Sequence, residues 1–530
     1  MPEDRQIIVF VHGWSVRNTN TYGELPARLR RELLRTSGSM SDIRNIWLGK
    51  YISFSDEVRM EDVSRAFQAA LIAELGDEIR AGRRFAVITH STGGPVVRDW
   101  WNRFYRESPS AGVCPMSHLV MLAPANFGSA LAQLGKGRIG RIKAWFEGVE
   151  PGTGLLDWLE LGSPQSWDLN VKWITSSNPL DEAPPVFQFV LTGQSIDHAL
   201  YDHLNSYTDE AGSDGVVRTA AANLNAKYLR LVQQAPAPMK AGARKLPSVD
   251  LSSPEIAASA PRTAFALVPG RSHSGSDMGI LRSVKNDRRD HPTVNAVLRC
   301  LTVASAADYT RLCDEFDAEN RVVRENERAE LYRRRLLPDR WFFHDAHSMV
   351  IFRIRDDRGH VVRDFDLKLT AGRKGRVSPD FLPEGFFVDR QKNQHDAGTL
   401  TYYFNYDAMV GSDAVLDPGD PRHEAVLRDK LPGAESLGLE LVCRPDDGFV
   451  HYYPASLQAT PQVLEHFIGS DQTSLIEIVV RRTVREGTFR LTSNLDPEDF
   501  TKQPPGDPIL WLKAFDKSAR PRGRSRALRR

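Results

Sequence analysis

The segment that most constrains the fold is FAVITHSTGG, residues 85–94. Phe85 to Thr89 has the length and the apolar, β-branched character of a buried strand. It runs directly into His90-Ser91-Thr92-Gly93-Gly94 and then into PVVRDWWNRFY, which is spaced as a helix. A strand that becomes a helix within a few residues makes a sharp, strained turn and lifts the residue at its apex above the sheet edge. Only small side chains fit two places before and after the apex. Gly93 and Gly94 meet that demand, and Thr89 departs from it, because Gly is usual there. Ser91 is therefore the candidate nucleophile, with Gly93 supporting the turn. An ordinary helix N-cap accounts for an isolated THSTG string equally well; the strand–turn–helix setting favours the nucleophile.

The flanking sequence alternates in the same way. Ile7 to Val11 (IIVFV) reads as a buried strand, and YGELPARLRRELL as a helix with Leu25, Leu29, Leu33 and Leu34 on one face. LGKYISFS reads as the next strand. EDVSRAFQAALIAEL reads as a helix burying Val63, Phe67, Leu71 and Leu75, and HLVMLA, VFQFVLTG and TAFALVPG as further strands. Such alternation specifies an α/β domain, a mostly parallel sheet with helices on both faces. The pattern breaks over about 127–185, a Gly- and Trp-rich stretch that reads as a mostly helical insertion. VQQAPAPMKAGARKLPS reads as a loop. A charged helical connector is expected over 305–338. Beyond it the period becomes two (MVIFRIRD, DFDLKLTA, TLTYYFNY, LGLELVCR, SLIEIVVRR, TFRLTSN), which specifies an all-β module, most simply a sandwich. The expected division is a catalytic domain over 1–304, the connector, a β-sandwich-like domain over 339–512, and a basic disordered tail over 513–530.

A serine hydroxyl needs a general base, and the base needs an orienting acid. In strand–elbow–helix enzymes the chain order is Ser, acid, His. Ser213-Asp214-Gly215-Val216-Val217 offers Asp214 as the acid, with Asp197 the rival and Asp202 a weaker one. His273 follows the strand TAFALVPG, where the base belongs. His198 and His203 precede Asp214, the wrong order, and His291 opens the following helix. Two main-chain N–H groups are expected to hold the oxyanion, one from Thr92 and one from Trp14 in the His12-Gly13-Trp14 turn after the first strand.

The segments VFVHGW, VITHSTGG and LAPANFGS, in this order, resemble lipase-type α/β-hydrolases. They are most similar to the group holding lecithin:cholesterol acyltransferase, the GPI inositol-deacylases and bacterial lipases and phospholipases, toxin-like ones included. The resemblance covers roughly residues 5–300. It implies the α/β-hydrolase fold, a carboxylic-ester hydrolase of lipase or phospholipase type acting through an acyl-enzyme, an ester or lipid substrate, no cofactor and no metal. It also implies a lid in the insertion, where Leu155, Leu156, Trp158 and Leu159 would line an acyl pocket; packing on the core is the equal alternative. Acyl transfer to an alcohol and a catalytically silent scaffold binding through the β module remain the rival readings. A dehalogenase is disfavoured because its nucleophile is Asp. The β module resembles no family.

With a formal net charge of +1, no global field recruits nucleic acid, and none is expected as a partner. Contact with a membrane surface is compatible with the reading; a protein partner is unspecified. His344-Asp345-Ala346-His347 offers metal-ligand types in too weak a pattern to assign a site. The 4 Cys are far apart and lack a CxxC, which points away from a disulfide scaffold. The start MPEDRQIIVFVHGW lacks signal-peptide character, so a cytoplasmic location is expected, with signal-independent export left open.

Overall fold

Strands β1 (Ile7–Val11), β2 (Asp42–Ile46), β3 (Phe85–His90), β4 (Met116–Leu122), β5 (Phe187–Thr192) and β6 (Ala264–Leu267) form one sheet in the order β2-β1-β3-β4-β5-β6. Every pairing in it is parallel. The structure, a computed structural model, describes residues 5–11, 22–37, 41–46, 57–108, 112–133, 153–196, 210–236, 246–251, 255–332, 340–420, 422, 424–459 and 467–484. The expected strands at 48–55 and 488–494 and the basic tail lie outside the described residues. The strand beside β1 is instead DIRNI at 42–46.

Continuous apolar runs form these strands because both faces are covered. Ile7, Val9 and Val11 of β1 enter one core, with helices α2 (Met60–Arg80) and α3 (Gly93–Trp101), while Ile8 and Phe10 enter a second core with α1 (Leu25–Ser37). Leu25, Leu29 and Leu33 are buried as their spacing requires; Leu34 lies off that face and is 45% exposed. Val63, Phe67, Leu71 and Leu75 are buried along α2.

The helix expected as a connector covers the sheet. Ala306–Glu327 buries Tyr309, Leu312, Cys313 and Phe316 in the second core. It also caps the free edge of β6: Asn320 Oδ1 accepts from Leu267 N at 2.7 Å, and its Nδ2 donates to Phe265 O at 2.8 Å. A side-chain amide thus replaces the peptide of a missing neighbouring strand and leaves the edge satisfied. The helix ends at Glu327, and Ala329–Tyr332 is a strand.

A second sheet orders Phe387–Lys392, Thr399–Asn405, His347–Asp356, Thr473–Val480, Lys227–Val232 and Ile256–Ser259. A third orders Arg376–Ser378, Phe365–Arg373, Ser436–Cys443, Ala455–Ala459 and Val249–Asp250. A shared apolar core holds these two together as a sandwich. Three of its strands come from residues before 304, so the β module is woven from segments on both sides of the helix at 306–327. KYLRLV, residues 227–232, is a strand of this sandwich by pairing with Thr473–Val480, far later in the chain.

Alternate residues of His347–Asp356 face opposite ways: Val350, Phe352 and Ile354 fill the sandwich, while Met349 and Ile351 join the first core. The insertion helices Thr153–Leu159 and Pro164–Thr175 contribute to that same first core. Leu155, Leu156, Trp158 and Leu159 are all 2% exposed or less. All four belong to the first core.

Burial of this kind makes a direct forecast. Trp158→Ala is expected to cost about 3–5 kcal/mol, read as a lower denaturation midpoint. A variant of parental stability with altered acyl-chain preference would mean that the residue lines a pocket.

A buried histidine supplies a pH dependence. His118 of β4 stacks on Phe189 and lies 2.9 Å through Nε2 from Val303 O. Burial pushes its pKa from 6.5 down to about 4. Between those values the unfolded chain takes up a proton that the folded chain refuses. His118's contribution is therefore complete above the upper value and is lost as pH falls through the window, at up to about 1.4 kcal/mol per pH unit. Urea denaturation of the parent and of His118→Gln should converge as pH falls from 6.5 to 4.

Candidate active site

Ser91 directly follows β3 and lies in the left-handed region, at φ +53°. A non-glycine residue is rarely held there, at a cost of about 1–3 kcal/mol that surrounding contacts must offset. Here Ser91 N donates to Leu122 O at 3.0 Å, and Ser91 O accepts from Gly94 N at 3.3 Å and Ala125 N at 3.4 Å. The turn is thus tied to the loop after β4. A Cβ on Gly93 would stand 3.3 Å from Thr89 Cβ and 3.3 Å from Val11 O; one on Gly94 would stand 2.9 Å from Pro124 Cβ. Thr89 is tolerated two places before Ser91 because Gly93 faces it without a side chain.

Asp214 and His273 meet Ser91 from two other loops. His273 Nε2 lies 3.2 Å from Ser91 Oγ, and His273 Nδ1 lies 2.9 Å from Asp214 Oδ2. Asp214 Oδ1 accepts from Val216 N at 3.0 Å and Val217 N at 2.8 Å. The main chain repeats the link, His273 N donating to Asp214 O at 2.8 Å. Asp214 is fully buried and His273 is 3% exposed. With Oδ1 occupied by two amides, Oδ2 is the acceptor for Nδ1–H, which leaves the Nε2 lone pair for the Ser91 hydroxyl. His90 adds a ring 4.8 Å from that of His273.

The loop carrying His273 is fixed at its base by groups that sequence reasoning missed. Gly193 follows β5, and a Cβ there would lie 1.7 Å from Arg271 O. Ser195 N donates to the same carbonyl at 3.2 Å. Glu327, the last residue of the covering helix, accepts from Gly270 N at 2.6 Å and from Gln194 Nε2 at 2.8 Å. A Gly directly after a strand is a legible signal of close backbone approach; a glutamate reaching back 57 residues is not.

Thr92 is the buried N-cap residue of α3, so its amide lies at a helix N-terminus, where the dipole favours negative charge. His12, Gly13 and Trp14 lie outside the described residues, as do Asp197, His198, Asp202 and His203. His291 is structural: it is the N-cap residue of helix Pro292–Leu301, with Nε2 3.2 Å from Ser283 Oγ. Burial pushes its pKa down to about 4. In the HDAH segment, His344 Nε2 lies 2.9 Å from Glu330, and Asp345 pairs with Arg428. No group of three metal-ligating side chains occurs among the described residues.

A parallel sheet, a left-handed serine between strand and helix, and an acid and histidine on later loops define a lipase-type α/β-hydrolase, an ester-hydrolysing enzyme. Phospholipase PlaB from Legionella pneumophila is 41% identical, with a TM-score of 0.80 over 93% of this chain and 97% of that one. The structure of that protein in complex with thio-NAD aligns at 39% identity and a TM-score of 0.77, with the same coverage. The chain belongs to the family of the phospholipase PlaB. No protein-family profile matches it, and neither does any curated protein.

Gly193→Ala should displace the Arg271–His273 segment. Esterase activity is expected to fall at least about tenfold, since misplacements of an ångström at a reacting group cost up to about 10²-fold. Full activity in this variant would show that the loop relaxes without moving His273.

Proposed function

We propose that the chain hydrolyses carboxylic esters of phospholipids through an acyl-enzyme on Ser91, with His273 as general base and acid and Asp214 as the orienting acid. The observation that carries the reading is the unbroken hydrogen-bonded line from Asp214 Oδ2 through the imidazole to Ser91 Oγ. Kinship with a phospholipase supports the substrate class.

In the first half-reaction Nε2 takes the Ser91 proton as Oγ bonds to the ester carbonyl carbon. The carbonyl oxygen becomes an oxyanion, stabilised by the Thr92 amide; Trp14, the second donor expected from sequence, lies outside the described residues. The intermediate collapses as the alcohol half leaves with the proton from Nε2, and the acyl group stays on Ser91. In the second half-reaction Nε2 takes a proton from water, hydroxide adds to the acyl carbon, and the free acid departs as the proton returns to Oγ. Water is the only co-reactant. The strained Ser91 backbone serves this sequence by keeping Oγ clear of the helix and within reach of Nε2.

Ser91→Ala should lower kcat on dispersed phospholipid by about 10⁴-fold or more with the fold intact. A fluorophosphonate probe should label the parent at Ser91 and leave the variant unlabelled. A folded Ser91→Ala variant with parental kcat would end the assignment. An added alcohol acceptor distinguishes hydrolysis from acyl transfer: free acid as the main product supports the reading, and a transferred ester as the main product contradicts it.

A further inference from the structure

Four residues beyond Asp214, Arg218 is among the largest fully buried side chains of the molecule. Its Nε and Nη2 each meet Glu210 at 2.8 Å, and Nη2 also meets Asp389 of strand Phe387–Lys392 in the second sheet. Nη1 has no hydrogen-bond acceptor among the described residues. The guanidinium carbon instead lies 4.1 Å from the ring centroid of Tyr403, so a π-face takes the place of an acceptor. Burial opposes the charge on Arg218, but Glu210 and Asp389 outweigh it and raise its pKa.

Tyr403 belongs to Thr399–Asn405, also in the second sheet. Its hydroxyl donates to Ala211 O and Gly212 O, each at 3.0 Å. His347 stacks on its ring at 5.0 Å and 17°. Gly212, at φ +72°, completes the fit: a Cβ there would lie 2.4 Å from Tyr403 Oη and 2.5 Å from His347 Nδ1. Two further bonds come from the same end of that sheet, Thr473 Oγ1 to Ala220 O at 2.7 Å and Asn223 Nδ2 to Asp471 O at 2.8 Å. On the opposite side the loop after β4 holds the segment through Ser129 Oγ to Val216 O at 2.7 Å and Phe127 N to Ala221 O at 3.0 Å.

Residues 210–222 are therefore gripped between the two halves of the molecule, and Asp214 lies inside that grip. Its Oδ1 is fixed to the amides of its own turn, so wherever the turn sits, Oδ2 follows. A buried ion-pair network adds little net stability over an apolar core of equal volume, since desolvation offsets most of the attraction. Its bonds do join the turn of Asp214 to the second sheet at fixed points.

We infer that Tyr403 and the Asp389–Arg218–Glu210 ion pairs are positioning residues for Asp214, so that the second β sheet sets how His273 is presented to Ser91. The inference rests on the proposed triad. It makes the β module part of the catalytic apparatus.

The test is a double-mutant cycle on the full chain. Tyr403→Phe removes the hydroxyl and keeps the ring beneath Arg218; Asp389→Asn keeps the packing and removes one charge. Each is made in the parent and in Asp214→Asn. Activity is read as kcat and KM on a short-chain p-nitrophenyl ester, and as the rate of fluorophosphonate labelling. In the parent each change should lower kcat and the labelling rate about tenfold, with KM within about twofold. In Asp214→Asn the same change should cost less than about twofold, because the group being positioned is gone. Equal losses in both backgrounds would mean general loosening and would overturn the inference, as would unchanged kcat in both variants. Parental kcat in Asp214→Asn alone would overturn the triad itself, a separate outcome.

Discussion

The imidazole of His273 is bonded at both nitrogens, 2.9 Å from Asp214 and 3.2 Å from Ser91. Those two bonds, with the main-chain bond from His273 N to Asp214 O, join three loops that leave the sheet at different places. Each loop is fixed by its own local chemistry. Ser91 is held by a left-handed turn bonded to the neighbouring strand's loop, Asp214 by two amides of its own turn, and His273 by a backbone bond to Asp214 and a glycine beneath it. The geometry is preassembled, which is what the proposed proton relay requires.

That preassembly depends on packing at a distance. The first core runs from the parallel sheet through the insertion helices to the second sheet without interruption. The described insertion helices form a buried layer, with Trp167 edge-on to Tyr228 of Lys227–Val232. A chain built this way transmits strain between its parts, because close-packed interiors have few alternative arrangements. The weaving of three early strands into the sandwich has the same effect. Neither half could be removed without exposing the other's apolar face.

Much of this was legible in sequence, for identifiable reasons. IIVFV and FAVIT read as strands because both faces of a parallel sheet are buried, and α1 and α2 read as helices because their leucines and other apolar residues recur every four residues. Ser91, Asp214 and His273 were found from motif context and chain order, and the structure brings the three together. What escaped is non-local. Lys227–Val232 pairs with Thr473–Val480, some 250 positions later, and only that partner makes it a sandwich strand. Glu327, Tyr403 and Asp389 act on loops far away in sequence, and no periodicity or turn signal marks them. The helix 306–327 was legible as a helix, while its cover of the sheet was not, because charged residues fill many of its positions.

The central claim is that an acyl group rests on one particular oxygen during turnover. Acid-quenching the parent enzyme while it turns over an activated ester, then digesting it and mapping the peptides by mass, tests this most directly. The account predicts a single acyl adduct, on the peptide containing Ser91 and on its side-chain oxygen. An adduct on any other residue, or rapid turnover with none at all, would contradict it.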